Sequence, residues 1–257
     1  METLALESVS CLMAAARMTN NIYFNSQIAD LLVKIPDSEG LALRVREYLA
    51  NKNAPADIII REELYKTEYW KNLSNEMAIY LESGFQFYTQ LLKFNGMMLH
   101  ASAVELDGKA YLFSGPSGMG KSTHTRLWQT VFGSDRARVF NDDKPALRRL
   151  EDGWFAYGTP WCGKDGININ MKVPLAGICF LKRGEENMIR RLTPIEATSR
   201  VIAQTLRRFN KPENLDRMIG LVDRLVSEIP IFELYNKPEP EAALLSYETM
   251  SRVSEEK

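Results

Sequence analysis

Gly115-Pro116-Ser117-Gly118-Met119-Gly120-Lys121-Ser122 is a glycine-rich run that ends in a cation and a hydroxyl. That combination suits a polyphosphate: glycines let successive backbone N–H groups turn inward, and a helix that follows adds partial positive charge at its N-terminus. The run matches G-x-x-x-x-G-K-[ST], in which the lysine reaches the β- and γ-phosphates and the hydroxyl joins the shell of Mg²⁺. Gly115, Ser117, Gly118, Met119, Gly120, Lys121, Ser122 and Thr123 are therefore the expected nucleotide contacts, with ATP and Mg²⁺ as cofactors.

Such a loop needs a carboxylate at the end of a neighbouring strand, and Asn141-Asp142-Asp143 offers two, about twenty residues downstream. One would hold Mg²⁺, for which Asp142 is taken together with Ser122. The other, Asp143, would accept the proton of an incoming hydroxyl, although either carboxylate could fill either role. His100, one of two histidines, is placed on the strand beside the one that feeds the loop, where it could orient an Asp or contact the transferring phosphoryl group. His124 falls in the first turn of the loop's helix and reads as a packing residue. Gly158 to Lys164 is a Gly- and Pro-punctuated stretch whose Lys164 could neutralise developing charge on the γ-phosphoryl group.

Turn signals and periodicity place these residues. Met97–Leu106 reads as one strand, Asp107-Gly108 as a tight turn and Lys109–Ser114 as a second strand entering the loop. Thr123–Val131 should be a helix, Arg138–Asn141 a strand, and Pro145–Leu150 with Trp154–Tyr157 a hairpin about Glu151-Asp152-Gly153. Leu175–Leu181 is a continuous apolar run that suits a buried strand. Thr193-Pro194-Ile195-Glu196 has the spacing of a capping box and should open a helix to about Arg207. A further helix follows Pro212, then a strand at Ile231–Tyr235 and a last helix from about Pro240. Upstream, Leu41–Ala50 is roughly helical in period, Asp57–Ile60 is a short strand, and Ser83 would cap a helix from Gly84 to about Phe94. The expected architecture is α/β with α+β character and a mixed sheet. Residues 1–96 would be an N-terminal portion of uncertain role and 97–257 the catalytic domain.

Composition narrows the partners. The 257 residues carry 32 Lys and Arg against 33 Asp and Glu, a formal charge of −1, which offers no global attraction to nucleic acid or anionic lipid. Nothing approaches the ~18 apolar residues of a membrane helix, and no basic, apolar leader opens the chain, so a soluble cytoplasmic protein is expected. Cys11, Cys162 and Cys179 have no metal spacing and read as small buried hydrophobes. Trp128, Trp154 and Trp161 read as core, and the basic pairs at 148–149, 182–183, 190–191 and 207–208 mostly as solvated faces. A homo-oligomer would be unremarkable.

His100-Ala101-Ser102-Ala103, the G-P-S-G-M-G-K-S-T loop and the N-D-D that follows a short strand together resemble the HPr kinase/phosphorylase catalytic domain, whose wider group includes the phosphoenolpyruvate carboxykinases. The Gly158–Lys164 stretch resembles HPr kinase-like proteins of unassigned acceptor. The resemblance implies a P-loop fold in which the loop follows antiparallel strands, and phosphoryl transfer to a hydroxyl. Lys121 would be the phosphate ligand, Ser122 a metal ligand, Asp142 and Asp143 metal ligand and base, and His100 their neighbour. The glycine-rich segment by which HPr kinases grip HPr is not found, so another hydroxyl-bearing small molecule, peptide or protein is the expected acceptor. A nucleotide-gated regulatory protein and a carboxykinase-type enzyme are the alternatives.

Overall fold

The computed structural model describes residues 23–52, 54–62, 70–206, 209 and 211–255. The chain divides into two units, one up to Gln90 and one from Leu91.

In the first unit, β1 (Tyr23–Ile28) and β2 (Leu31–Pro36) form an antiparallel hairpin. Its two-residue turn, Ala29-Asp30, has positive φ at both positions, the twist that tight hairpins favour. A short helix, α1 (Glu39–Val45), runs into a 3-10 turn at Arg46–Tyr48, and β3 (Ile58–Ile59) adds to β2 in parallel. The helix expected from Gly84 begins earlier, as α2 (Asn75–Leu91), and Ser83 lies inside it with its hydroxyl donating to Tyr80 O. Two glutamines of α2 serve β3 and the residues after it. Gln90 Nε2 donates to Ile59 O at 3.0 Å, and Gln86 both accepts from Arg61 N at 2.7 Å and donates to Arg61 O at 3.1 Å. Side-chain amides thus satisfy backbone that no further strand covers among the described residues.

The second unit is a mixed sheet with helices on both faces. Its strands are β4 (Gly96–Met98), β5 (Ala101–Leu106), β6 (Lys109–Ser114), β7 (Arg138–Asp143), β8 (Ala146–Leu150), β9 (Gly153–Tyr157), β10 (Lys172–Arg183), β11 (Met188–Arg191) and β12 (Ile231–Asn236). They are ordered β4-β8-β9-β10-β6-β5-β7, with β12 also on β10 and β11 on β12. β10 carries two neighbourhoods: Lys172–Pro174 pair antiparallel with β9, while the residues from Leu175 onward run parallel to β6. The register slips between Leu175 and Gly177. Because side chains alternate faces, that slip puts Leu175 and Ile178, three residues apart, on one core.

The expected single strand 97–106 is broken. Leu99 N turns to Pro145 O and His100 N to Gln204 O at 2.8 Å, so β4 pairs with β8 while β5 lies between β6 and β7. His100 therefore sits in the gap between two strands and not on one of them.

Among the described residues four α-helices complete the unit: α3 (Lys121–Phe132), α4 (Pro194–Gln204), α5 (Pro212–Glu228) and α6 (Pro240–Glu255). Val201 of α4 and Met218, Val222 and Leu225 of α5 meet Ala101, Leu112 and Ile178 on one side of the sheet. Trp128 of α3 and Ala243 and Met250 of α6 meet Phe113, Cys179 and Leu234 on the other. α4 opens on the expected capping box, with Glu196 N donating to the Thr193 hydroxyl and Thr193 N donating back to Glu196. It ends at Gln204, short of Arg207, and Arg207 and Arg208 lie outside the described residues. Trp128, Trp154, Trp161, Cys162 and Cys179 are buried as expected, and Cys11 lies outside the described residues.

Candidate active site

β6, β7, β10 and β12 all run in one sense, because β5 is antiparallel to both β6 and β7 while β10 is parallel to β6 and β12. Their C-terminal ends share one edge of the sheet, where open α/β sheets bind ligands. Residues at that edge align laterally in the order Asp143, Ala101, Ser114, Phe180, Glu233, Arg190. The end of β7 thus lies two strand spacings, about 10 Å, from the residue that opens the glycine-rich loop.

The loop joins β6 to α3. Gly118 and Gly120 have φ of +76° and +97°, and a Cβ on either would project into open space, so the backbone forms an unobstructed concave surface at the helix N-terminus. Lys121 arches back over the loop, its Nζ donating to Gly115 O at 3.0 Å and Pro116 O at 3.3 Å. Burial lowers its pKa, against the pull of the Asp143 and Asp142 carboxylates. Ser122 is half-buried, Ser117 and Thr123 are exposed, and Thr125 anchors the helix to β5 through Ser102 Oγ at 2.8 Å.

The acidic pair is held from behind. Asn141 is fully buried; its Nδ2 donates to Thr159 O at 3.0 Å and its Oδ1 accepts from Lys144 N at 2.9 Å, which fixes the turn that carries both carboxylates. Asp143 Oδ1 lies 3.2 Å from His100 Nε2, and Oδ2 pairs with Lys144 Nζ. Burial alone would raise the Asp143 pKa, but the hydrogen bond from His100 and the charge and hydrogen bond of Lys144 outweigh it and hold the carboxyl down at about 2. Asp142 makes no side-chain hydrogen bond or ion pair among the described residues; its N–H donates to Ile167 O at 3.2 Å.

His100 is fixed at four points. Its N–H goes to Gln204 O, its carbonyl accepts from Ser114 Oγ at 2.8 Å, and its ring is held between Asp143 and Gln204 Oε1, the latter 3.0 Å from Nδ1. An ionised Asp143 can only accept, so Nε2 carries the hydrogen. The Gln204 amide can accept from Nδ1–H or, turned over, donate to a bare Nδ1, so it accommodates both the charged and the neutral ring.

The β9–β10 loop packs along the outer edge of β7. Ile169 N donates to Phe140 O at 2.9 Å, and a Cβ on Gly163 would come within 3.1 Å of Asp142 O and of Asp143 Cβ. Lys164 is exposed on the tip and makes no ion pair among the described residues, whereas the adjacent Asp165 accepts from Arg126 of α3 at 2.9 Å. The structure thus brings Lys121, Asp142, Asp143 and His100 to one edge and leaves Lys164 on a loop tied to the same helix.

Sequence reasoning missed Lys144, Asn141 and Gln204. Lys144 was findable as a cation adjacent to the acidic pair; Gln204, 104 residues from His100, carries no local mark. Of the basic pairs, Arg183, Arg190 and Arg191 are exposed as expected, but others have buried partners or are buried themselves. Lys182 and Arg190, with Arg200, surround Glu233, whose side chain is wholly buried, at 3.0, 3.0 and 2.7 Å, and Arg148 is buried with Nε on Phe94 O.

The family model of the SynChlorMet cassette protein ScmC matches residues 67–211, more than half of the chain. The chain belongs to the ScmC family. The ScmC match takes in the glycine-rich loop, the acidic pair, His100 and Gln204. No curated protein matches this ScmC chain in sequence. Among solved structures it is similar to the Hpr(Ser) kinase/phosphatase from Coxiella burnetii, at 14% identity and a TM-score of 0.34, over 60% of this chain and 88% of that one. At that score the likeness decides nothing here. Among the described residues no helix is long and apolar enough to cross a membrane, and no group of three or more His, Cys, Asp and Glu could hold a metal ion.

Two groups beside the glycine-rich loop and the acidic pair, His124 and Asp143, add to the acid sensitivity of this fold. Burial holds His124 down at about 3 from an ordinary 6.5. Between those values the unfolded chain binds a proton that the fold refuses, so stability is complete above pH 6.5 and is lost as pH falls toward 3. Asp143, lowered to about 2 from 3.8, adds a loss confined to pH below about 4. Thermal unfolding followed by circular dichroism should show Tm level from pH 8 to 7 and falling below 6.5, with the fall between 6.5 and 4 flattened in His124→Phe. An unchanged slope in that variant would remove His124 from the account.

Proposed function

We propose that this protein is an ATP- and Mg²⁺-dependent phosphotransferase of the HPr kinase-like kind, which moves the γ-phosphoryl group to a hydroxyl on a small molecule, peptide or protein. One observation carries the reading: a G-x-x-x-x-G-K-S loop with an open concave backbone shares a sheet edge with an ionised carboxylate clamped by a histidine and a lysine.

The two carboxylates differ in a way that supports a division of labour. Asp143 has both oxygens engaged and stays ionised, which suits an acceptor that orients a hydroxyl. The acceptor oxygen forms its bond to phosphorus as the bond to the bridging β-phosphate oxygen breaks, ADP leaves, and the hydroxyl proton passes to Asp143, whose low pKa makes this a late transfer. His100 holds that carboxylate in place through its Nε2–H, and Gln204 fixes the far side of the ring. Lys121 lies over the loop carbonyls and would exchange them for phosphate oxygens.

The donor set fits Mg²⁺, which takes one or two carboxylates and completes its shell with water and phosphate oxygens, and it does not fit an all-protein cage. Ser122 and the open Asp142 would hold the ion, which when bound neutralises charge on the phosphates. Lys164 stays a candidate for the same task through its loop.

The test is incubation with γ-labelled ATP, Mg²⁺ and a cytosolic extract of metabolites, peptides and proteins. A labelled species formed by the wild type establishes transfer and gives the acceptor class. ATP binding with no labelled product favours the nucleotide-gated regulator.

A further inference from the structure

On the side of β6 away from the acidic pair, the sheet edge holds a cavity of about 430 Å³. Its walls include Met119 and Gly120 of the loop, His124 and Leu127 of α3, and Asn236 and Pro238 after β12. Arg183, at the end of β10, also lines it and ties it to the loop by donating to Gly118 O at 3.3 Å. The volume lies in the range of small-molecule sites, and the lining mixes apolar side chains with a few polar ones, as such sites do.

One wall group is chemically unfinished. Ser246 donates its single hydroxyl hydrogen to Ala243 O at 2.9 Å and accepts from the Trp128 indole N–H at 3.0 Å. Its remaining capacity is as an acceptor, so the 3.1 Å contact with His124 Nε2 has the histidine donating. In that arrangement Nε2 carries the hydrogen and Nδ1 is a bare lone pair. Nδ1 is closed to solvent and has no hydrogen-bond partner among the described residues, in a side chain 1% exposed. A buried acceptor left unpaired is costly, and it calls for an N–H or O–H donor.

We infer that this cavity receives the nucleoside of the phosphate donor, and that His124 Nδ1 accepts from the exocyclic amino group of a purine. The inference rests on reading the loop as a nucleotide phosphate site. The placement is consistent: phosphates on the loop would point their transferable end toward Asp143, on the β7 side, and their nucleoside end toward β10 and β12. Access to Nδ1 needs a wall side chain to shift, and Met119, unbranched and flexible, is the softest of them.

The experiment measures binding of ATP, GTP, purine riboside triphosphate and inorganic tripolyphosphate to the full chain with Mg²⁺, by titration calorimetry. One of the two amino-bearing purine nucleotides should bind at least tenfold more tightly than tripolyphosphate and about fivefold more tightly than purine riboside triphosphate, which lacks the amino group. Leu127→Trp, which fills the cavity, should bring nucleotide affinity down to that of tripolyphosphate and leave tripolyphosphate unchanged, a result that also shows the variant is folded. If the wild type holds tripolyphosphate as tightly as either nucleotide, the cavity is no nucleoside site while the phosphate loop stands. If nothing binds, the loop reading fails and takes this one with it. Equal affinity for ATP, GTP and purine riboside triphosphate overturns the role of His124, whether or not Leu127→Trp folds.

Discussion

Asp143→Asn should leave ATP affinity within about threefold of wild type and lower phosphoryl transfer by roughly 10²–10⁴-fold, the usual contribution of a positioned proton acceptor. The change keeps the shape and removes the charge. Asp143 touches His100 and Lys144 and none of the loop backbone by hydrogen bond, so the phosphates lose no ligand from the protein. What is lost is an oxygen pair that can only accept. An amide presents one acceptor and one donor, so its NH₂ group must face either the Lys144 ammonium, donor against donor, or His100, whose ring must then give up its Nε2 hydrogen and carry one on Nδ1 toward Gln204. Leaving such a group unmatched costs about 1–3 kcal/mol, and at roughly 2–4 °C per kcal/mol for a domain of this size a drop of several degrees in Tm should accompany the loss of transfer. Binding by calorimetry and transfer from γ-labelled ATP, measured on the same preparation, separate the effects. Equal loss of binding and transfer would place Asp143 on the nucleotide and not on the hydroxyl.

Lys121→Met should do the reverse, weakening ATP binding by about 10- to 100-fold, the worth of one or two charge-assisted hydrogen bonds, with a further 10²–10³-fold loss of transfer from bound nucleotide. The fold should not suffer. Burial already disfavours the Lys121 charge, and of the two carbonyls it meets, that of exposed Pro116 can be served by water instead while the bond to that of Gly115 is part-buried. Tm without nucleotide should therefore stay within about 3 °C of wild type, while the rise in Tm on adding ATP disappears. Wild-type ATP affinity in this variant would mean that the loop is a strand-to-helix turn and nothing more.

Short local patterns were more legible than the scaffold that carries them. The glycine-rich run, the acidic pair and the capping box at Thr193 are local patterns, set by steric and hydrogen-bonding rules that act over a few residues, and each lies in the structure where those rules put it. The break at Leu99–His100 could not be read, because a run of apolar residues looks the same whether its backbone groups pair with one strand or turn to Pro145 and Gln204. The Ala29-Asp30 hairpin lacks the Asn-Gly or Asp-Gly pair that marks such turns, and tertiary context imposes its positive φ values. Glu233 reads from sequence as a polar residue in a strand. Only the folded arrangement shows that cations from β10, β11 and α4 converge on it.

That convergence reaches further than its own corner of the molecule. Arg200, which grips Glu233, and Gln204, which grips His100, stand one turn apart on α4. A rigid rod pinned at both points is a ruler: the Glu233 carboxylate on β12 is the datum from which the position of His100, in the gap between β4 and β5, is measured. Sequence drift in the family should accordingly treat these distant positions as a single trait.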